Sequence, residues 1–467
     1  MVRPLEPTVT TNSLLISHRF PTQVALRDWS RTHNLSPVVI SGLNLCFSTA
    51  FLGSKERYVL QVDSPMSVQK SSTVALFGLP ISNVTMAEAV ARLEENIDSG
   101  ETHQIATANL DFARNSLRDA SLHKVICDCS MVLPDGAPIL WASHLFGKPL
   151  KERVTGVDLI PHLAQLSVRR GFGIFLLGST DENAGAAQKA LELKYPGVNF
   201  VGRYSPPVAS LDDMNDSEIL RRIEMARPDI LLVAFGNPKQ EMWIHRNRGR
   251  LTVPVAIGIG GALDMIAGSL KRAPRWVQVL QMEWLFRMAQ EPSRLVPRYA
   301  RDAAALARHL PMGLAVSQMQ GHSRVEGKLA IRTQGNVRIL ATPATLSGDL
   351  CSALTTEARL AVEGRQMVVV DLSATTRIEA DGLGCLLEVR RVLLSAGLRI
   401  WLAGLSNPVR RVLQFTAVLD LFLLALNPAD AIRFATVGRG EGEWSAPVVP
   451  FVPRQTATEN LSKVAEA

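Results

Sequence analysis

From residue 74 onward, two kinds of segment alternate along the chain. Short runs such as VALFGLPIS from Val74 and GFGIFLLGST from Gly171 are apolar almost throughout. Between such runs, as in MAEAVARLEENID from Met86, apolar residues recur every three to four positions. The first kind predicts strands buried on both faces, and the second predicts amphipathic helices. Their repeated alternation predicts an α/β domain with a Rossmann-like, doubly wound parallel sheet, whose ligands bind at the carboxyl ends of the strands.

The pattern changes twice more along the chain. A helical, basic stretch with seven Arg and one Lys against three acids covers residues 270–310, and a second, smaller α/β pattern begins near Lys328. The predicted organisation is a poorly ordered extension (1–72), the first domain (73–311) with its basic appendage (270–311), a linker (312–327), the second domain (328–437) and a disordered tail (438–467).

Composition narrows the protein class. A chain of 467 residues, 47% apolar and 20% charged, indicates two or three globular domains and excludes collagenous and disulfide-scaffold proteins. Five scattered cysteines fit a reducing compartment. Cys127 and Cys129 lack a neighbouring His or Cys cluster, so we predict buried apolar residues beside a strand and no zinc site.

The net charge of +7 indicates an anionic partner: nucleic acid, a phosphorylated substrate or lipid headgroups. The uncharged run from Ser36 to Gly53 is interrupted by polar residues and is too weakly hydrophobic for a membrane span. No other stretch qualifies, and the N-terminus does not resemble a signal peptide. We therefore expect a cytoplasmic protein.

Polar and glycine residues follow several predicted strands of the first domain. They occur in TAN (Thr107, Asn109), PDG (Asp135, Gly136), RVTGVD (Arg153, Thr155, Asp158), GNPKQE (Asn237, Lys239, Gln240, Glu241) and GIGGALD (Gly258, Gly260, Gly261, Asp264). Taken singly, each is explained by a helix cap or by tight packing. Together they predict a site at one rim of the sheet, where the glycines allow a phosphate to approach a helix N-terminus. The spacing of GIGGAL does not match the dinucleotide-binding fingerprint.

These motifs carry a family resemblance. TAN, LPDG, ERVTGVDL, FGNPKQEMW, GIGGALDMIAGSLKRAPRW and MEWLFRMAQEPSR, in this order, resemble the WecG/TagA/CpsF family of inverting glycosyltransferases from about Val74 to Arg301. The resemblance implies transfer of N-acetylmannosamine, or its uronic acid, from a UDP-sugar to polyprenyl-pyrophosphate-linked N-acetylglucosamine in cell-surface polysaccharide synthesis. It also implies that neither a metal nor another cofactor is used.

The resemblance further implies roles for individual residues. Asp135 corresponds to the catalytic base, and an inverting transfer needs one carboxylate to accept the proton of the acceptor hydroxyl. Arginines then supply the charge that the departing diphosphate needs without a metal. Pro297 stands where the family often has another basic residue, so the resemblance implies that this contact either shifts to Arg298 or is lost. The expected substrate-binding residues are Thr107, Asn109, Arg153, Gln240, Gly260, Gly261, Arg287, Arg294 and Arg298.

The basic appendage predicts the cellular location. Trp276, Trp284 and Phe286 lie among its arginines, a pattern that suits an anionic membrane surface, although a solvated helix face remains the alternative. We expect a cytoplasmic protein held peripherally at the inner face of the plasma membrane, with no nucleic-acid partner.

The second domain resembles STAS domains, the fold of anti-sigma-factor antagonists and of sulfate-transporter tails. VVVDLS (Val368–Ser373) and IEADGLGCLLEV (Ile378–Val389) carry this resemblance. The family pattern places a phosphorylatable Ser where this chain has Asp381, just before a helix expected to start near Gly382. The resemblance implies either a permanently phospho-like state or a protein-docking module that has lost its switch. A structural or dimerising appendage, with Asp381 as a helix N-cap, is the third interpretation.

Two rival functions stay open at the level of sequence. A UDP-hexose, such as a UDP-glucose, is an alternative donor in exopolysaccharide assembly. A regulatory scaffold with a vestigial transferase site is the alternative of another class, although retention of every polar motif argues against it. The donor sugar, the acceptor lipid and the STAS partner are not fixed by these motifs.

Overall fold

The computed structural model describes residues 46–49, 58–61, 73–279, 282–293, 295–304 and 327–437. The strands are β1 (Cys46–Thr49), β2 (Tyr58–Gln61), β3 (Thr73–Leu76), β4 (Leu79–Ser82), β5 (His103–Ala108), β6 (Met131–Pro134), β7 (Ile174–Gly178), β8 (Phe200–Tyr204), β9 (Ile230–Ala234), β10 (Val255–Gly258), β11 (Ala330–Gln334), β12 (Val337–Ala341), β13 (Thr345–Leu346), β14 (Met367–Asp371), β15 (Arg377–Ile378), β16 (Ile400–Ala403) and β17 (Leu423–Ala425). The helices are α1 (Met86–Asp98), α2 (Leu110–Arg118), α3 (Ala120–Cys127), α4 (Ala137–Leu145), α5 (Gly156–Arg170), α6 (Asp181–Lys194), α7 (Asp216–Ala226), α8 (Lys239–Asn247), α9 (Ala262–Ile266), α10 (Arg275–Val279), α11 (Glu283–Gln290), α12 (Cys351–Glu363), α13 (Ala380–Ser395), α14 (Asn407–Phe415) and α15 (Pro428–Val437), and residues 295–304 are also helical.

A parallel six-stranded sheet forms the first domain, in the order β6-β5-β10-β9-β7-β8. Side chains alternate between its two faces along each strand, as period-two geometry requires. Ile230 and Leu232 of β9 face the cluster that packs on α1, α5 and α6, whereas Leu231 and Val233 face the side that holds α7 and α8. This doubly wound arrangement confirms the predicted fold class.

The segment VALFGLPIS is a hairpin, whereas its apolar run predicted one strand of the sheet. β3 and β4 pair antiparallel with each other. The chain reverses at Phe77 and Gly78, both of which have positive φ, +52° and +77°. The run is apolar on both sides of the turn because the hairpin is covered on both faces: Val74 packs in the first domain and Ala75 packs in the core of the second.

The second domain is built on a mixed seven-stranded sheet, in the order β1-β2-β11-β12-β14-β16-β17. Helices α12, α13 and α14 cover one face through Val368, Val370 and their neighbours. Helix α15 covers the other face, where Trp401 stacks on Phe434 with ring centroids 5.8 Å apart. This smaller α/β unit confirms the predicted fold class of the second domain.

The predicted N-terminal extension contributes two strands to this sheet. β1 pairs with β2, and β2 pairs antiparallel with β11 of the second domain. The interpretation of residues 1–72 as poorly ordered is therefore wrong for these two segments. Four-residue strands give too short a pattern to recognise, and the strand that they extend lies more than 260 residues further along the chain. The other residues of 1–72, the tail 438–467 and most of the predicted linker lie outside the described residues.

The backbones of the two domains approach each other closely at two glycines, one in α13 and one in the β3–β4 turn. A Cβ atom at Gly384 would lie 2.3 Å from the carbonyl oxygen of Thr73, a distance that no side chain could accommodate. A Cβ atom at Gly78 in the hairpin turn would lie 2.1 Å from the carbonyl oxygen of Thr416, at the end of α14. Glycines on both sides therefore permit backbone contact between the domains.

Candidate active site

The carboxyl ends of β5, β6, β9 and β10 open into one cavity of about 500 Å³. Its wall includes the expected base Asp135 and every expected substrate-binding residue that the structure describes: Thr107, Asn109, Arg153, Gln240, Gly260, Gly261, Arg287 and Arg298. Arg294 is not among the described residues. Motifs separated by up to about 190 residues are thus brought together, because the parallel strands end at one rim and the appendage that carries Arg287 and Arg298 lines the same cavity.

Asp135 lies in the loop between β6 and α4. Its backbone N–H donates to the carbonyl oxygen of Ala108 at 2.8 Å, which ties the loop to the end of β5. Its carboxylate Oδ2 accepts the backbone N–H of Gly156, the first residue of α5, at 3.3 Å. A helix N-terminus favours negative charge at this position. The carboxylate is therefore held in one orientation at the cavity wall.

Burial raises the pKa of the Asp135 carboxyl from its ordinary value of 3.8 to about 7. The Gly156 N–H and the positive charges of Arg153 and Arg287 oppose this rise in pKa, while Glu283 adds to it. Desolvation has the larger effect on the pKa, because removal from water destabilises the charged carboxylate more than these groups stabilise it. A carboxyl with a pKa near neutrality can both accept and release a proton under physiological conditions, which is what a general base needs.

Thr107 and Asn109 organise the end of β5. Thr107 is buried and its hydroxyl donates to the carbonyl oxygen of Gly258 at 2.9 Å, joining β5 to β10. Asn109 is the N-cap of α2, and its Oδ1 accepts the N–H of Phe112 at 3.2 Å. Both side chains have structural partners at the cavity wall, and direct contact with substrate stays a prediction for them.

Gln240 holds two loops of the cavity wall together. Its side chain is 1% exposed, and its Oε1 accepts the backbone N–H groups of Gly236 at 3.1 Å and Gly260 at 3.0 Å. This one amide therefore fixes the glycine-containing loops after β9 and β10. Gly258 leaves room for it, because a Cβ atom there would lie 2.6 Å from Gln240 Nε2. The structure thus shows a positioning role for Gln240, and the direct substrate contact that the resemblance implies stays a prediction.

Glu241 is a second buried carboxyl beside these loops. It accepts from Gln240 Nε2 at 2.7 Å and from Asn237 Nδ2 at 3.0 Å. Burial raises its pKa to about 7, against the effect of these hydrogen bonds. Its neighbours are amides, and it supports the loop after β9 from inside the domain.

The basic appendage covers one side of the cavity and is attached by ion pairs. Arg272 contacts Asp158 of α5 at 2.5 Å, and Arg153 contacts Glu283 of α11 at 3.3 Å. Arg272 also lies 3.6 Å from Glu283. Arg153 therefore faces an acid of the appendage, and Glu283 was not identified from sequence. The sequence signal that could have identified Glu283 is that it is an acidic residue within a basic stretch.

A second set of ion pairs attaches the helical residues 295–304. Arg298 lies 3.2 Å from Asp111 of α2, and Arg114 of α2 lies 2.8 Å from the buried Asp302. Trp284 and Tyr299 add an edge-to-face contact with ring centroids 5.9 Å apart. Arg298 therefore lines the cavity and also joins the appendage to α2.

The exposed large apolar side chains of the appendage lie on its outside. Trp276 is 67% exposed, and Met282, Leu285 and Val296 are also exposed. Among the described residues, no helix is both long enough and apolar enough to cross a bilayer. Nor do the side chains described in this structure include a group of three or more His, Cys, Asp or Glu placed to bind a metal ion.

Comparison with known families identifies the first domain. The model of the glycosyl transferase WecG/TagA/CpsF family matches residues 74–317, more than half of the chain. The chain belongs to this family of glycosyltransferases. The match confirms the predicted family and the prediction that the protein is an enzyme.

Two relatives of the transferase come from Staphylococcus aureus, strains MRSA252 and MW2. They are 31% and 30% identical over 227 and 235 residues, which cover 48% and 49% of this chain and 87% and 91% of the relatives. Both are named N-acetylglucosaminyldiphosphoundecaprenol N-acetyl-beta-D-mannosaminyltransferase.

The second domain of the transferase also has a family match. The STAS-domain model matches residues 328–431, which confirms that resemblance. The solved structure of the anti-sigma factor antagonist SpoIIAA in its unphosphorylated form covers 23% of this chain and 96% of its own length, at 16% identity and a TM-score of 0.21. In this domain, α13 begins at Ala380 with Glu379 as its N-cap, so the predicted N-cap role of Asp381 is wrong. Asp381 lies in the first turn of the helix.

Replacing Asp135 by Asn tests the carboxyl directly in the transferase. The amide is nearly isosteric but cannot take up a proton, so we expect turnover to fall by about 10²–10⁴-fold. We also expect the variant to be more stable than the wild type, by a margin that grows as the pH rises from about 4 to about 7. Over that range the unfolded wild-type chain has lost the proton that the folded Asp135 keeps, because its folded pKa is raised from 3.8 to about 7.

Steady-state assays and thermal melts between about pH 4 and pH 8 measure both effects. A variant that turns over within a few-fold of wild type would exclude Asp135 as the base. A stability margin that does not change with pH would show that the folded carboxyl is not desolvated.

Proposed function

We propose that this transferase moves an N-acetylhexosamine, most simply N-acetylmannosamine, from a UDP-sugar to polyprenyl-pyrophosphate-linked N-acetylglucosamine, with inversion and without a metal. The observation that carries the proposal is the desolvated Asp135 carboxyl, which lies in the wall of a 500 Å³ cavity together with Arg153 and Arg287. The names of the Staphylococcus aureus relatives support the donor sugar and the lipid-linked acceptor.

The proposed reaction uses Asp135 as the general base. Its carboxylate takes the proton of the acceptor hydroxyl as that oxygen bonds to the anomeric carbon of the donor. The bond from the anomeric carbon to the diphosphate breaks on the opposite face, and its electron pair leaves with UDP. Attack opposite the leaving group inverts the anomeric configuration, and a single carboxylate is sufficient for such a displacement.

The charge of the departing diphosphate is the second requirement. Arg153, Arg287 and Arg298 lie in the cavity wall, and guanidinium groups bind phosphate oxygens in a bidentate manner. The glycine loop after β10, which Gln240 holds in place through the Gly260 N–H, has no side chains at Gly260 and Gly261 to keep the diphosphate away from the backbone. In this proposal these groups supply the stabilisation that a divalent cation supplies in other transferases.

The membrane supplies the acceptor in this proposal. The exposed Trp276 and Leu285 lie in the appendage that covers the cavity. Aromatic and aliphatic side chains beside basic residues favour the interface of an anionic membrane. We therefore propose that the enzyme associates peripherally with the inner leaflet, with the appendage against the lipid, so that a lipid-linked acceptor reaches Asp135 without leaving the bilayer.

A screen of UDP-sugars with a lipid-pyrophosphate-GlcNAc analogue tests the proposed reaction, with UDP release and the anomeric configuration of the product as readouts. We expect UDP-N-acetylmannosamine to be turned over fastest, to give an inverted product, and to be used equally in the presence of EDTA. Faster turnover of UDP-glucose would show that the donor is a UDP-hexose and not UDP-N-acetylmannosamine. A product with retained configuration, or loss of activity in EDTA, would contradict the mechanism.

Liposome flotation tests the membrane surface. The double variant Trp276→Ser/Leu285→Ser should bind anionic vesicles at least about tenfold more weakly, because burying one large apolar side chain contributes about 1.5–3 kcal/mol. Leu193→Ser is the matched control, since Leu193 is 84% exposed on α6 of the same domain. Equal binding of the double variant and the control would show that the appendage does not contact the membrane.

A further inference from the structure

Residues 128–148 form one continuous segment of the transferase domain that carries Asp135. The segment runs from the turn after α3 through β6, the Asp135 loop and α4 to the turn that follows Phe146. Because β6 is the edge strand of the six-stranded sheet, β5 is its one strand partner in that sheet, and outside the sheet the N–H of Val132 donates to Ser82 Oγ of the β3–β4 hairpin at 3.2 Å. The position of β6 therefore depends more on contacts outside the sheet than the position of a central strand does.

The STAS domain contacts the start of this segment. Arg390 of α13 pairs with Asp128 at 2.5 Å, and the side chains of the two residues are only 5% and 13% exposed. Arg390 Nε also donates to the carbonyl oxygen of Leu421 at 2.8 Å, which fixes the guanidinium in its own domain. The neighbouring Arg391 donates to the carbonyl oxygen of Ser130, the residue before β6. Charged hydrogen bonds in such a desolvated position are strong and directional.

The STAS domain also contacts the end of the segment. Lys148 Nζ lies 2.7 Å from Glu379 Oε2 and 2.6 Å from Asp381 Oδ2. Both acids are at the N-terminus of α13, where negative charge is favourable. The lysine is about one-quarter exposed, so the two bonds are partly shielded from water.

Apolar packing joins the same two surfaces between these polar contacts. Ala380 packs against the cluster that contains Leu76, Ile139 and Leu140 of the transferase domain. Within the transferase domain, Phe146, the C-cap of α4, meets Phe77 of the β3–β4 hairpin edge to face, with ring centroids 5.9 Å apart. Helix α13 therefore contacts the segment at both ends and along the core between them.

From these contacts we propose that the STAS domain is an intramolecular brace that holds β6 and α4, and thereby fixes the position of Asp135. The partner of the α13 N-terminus is then the transferase domain of the same chain. The catalytic part of this inference rests on the proposed function, since it matters for turnover only if Asp135 is the base. The residues of α13 are positioning residues, because they reach the reaction only through β6 and α4.

The brace also accounts for an acid at position 381. Lys148 needs a negative partner at the start of α13, and Asp381 provides one permanently, without phosphorylation. A serine at this position would leave Lys148 with Glu379 alone. The carboxylate thus maintains the contact between the two domains at all times.

The decisive comparison is Lys148→Met against Lys151→Met in the full chain. The two lysines are three residues apart, but Lys151 pairs with Glu88 inside the transferase domain, at 2.7 Å. We expect Lys148→Met to increase hydrogen–deuterium exchange in peptides covering residues 131–147. We also expect it to lower kcat about tenfold, within the roughly 10²-fold cost of a misplacement of about 1 Å. The KM for the donor should not change, and Lys148→Arg should retain both properties.

A second variant tests the same contact from the STAS side. Glu379→Gln/Asp381→Asn should reproduce the exchange and kcat effects, and adding Lys148→Met to it should cause little further loss, because coupled groups are not additive. Fully additive losses would overturn the proposal. The proposal would also be overturned if Lys148→Met and Lys151→Met showed the same exchange and the same kcat. It would equally be overturned if Lys148→Met exchanged faster but kept the wild-type kcat.

The exchange measurement separates this inference from the proposed function. If Asp135→Asn keeps its turnover, the proposed base is wrong, and exchange in residues 131–147 alone decides whether the brace exists. If Asp135→Asn is inactive while Lys148→Met behaves like its control, the proposed function stands and the brace is wrong.

Discussion

Burial of the Asp135 carboxyl at the end of β6 is the constraint on which the rest of the structure depends. Removing this group from water raises its pKa to about 7, despite the Gly156 N–H and two nearby arginines. Such burial is destabilising above the unfolded pKa, so the surrounding fold has to hold the loop in place. The sheet holds it through Ala108, α5 through Gly156, and the STAS domain through both ends of the strand–helix unit.

The cavity around Asp135 is built from groups that mostly bind one another. Arg153 faces Glu283, Arg298 faces Asp111, and the amide of Gln240 holds two glycine loops. These contacts keep the appendage over the site and keep the arginines oriented toward the cavity. In the proposed reaction, a diphosphate would compete with Glu283 for Arg153, so that donor binding and the position of the appendage would be linked.

The sequence was sufficient for the parallel sheet and for the rim on which the site lies. Fully apolar strands and polar strand ends are local patterns, so a short stretch of sequence is enough to recognise each of them. What the sequence did not predict depends on distant parts of the chain. The hairpin after Val74 looked like one strand because both domains cover it, and β1 and β2 pair with a strand far along the chain. Lys148 and Asp381 are separated by 233 residues, and no local pattern relates them.

The central claim is that Asp135 accepts the proton of the acceptor hydroxyl, and the pH dependence of kcat/KM tests it most directly. This parameter reports the ionisation of the free enzyme. Because the carboxylate must be unprotonated to act, kcat/KM should rise about tenfold per pH unit below about 7 and level off above that value. A profile that stays flat between about pH 5.5 and pH 8 would contradict the account, since it would mean that no group with the shifted pKa of Asp135 takes part in the reaction.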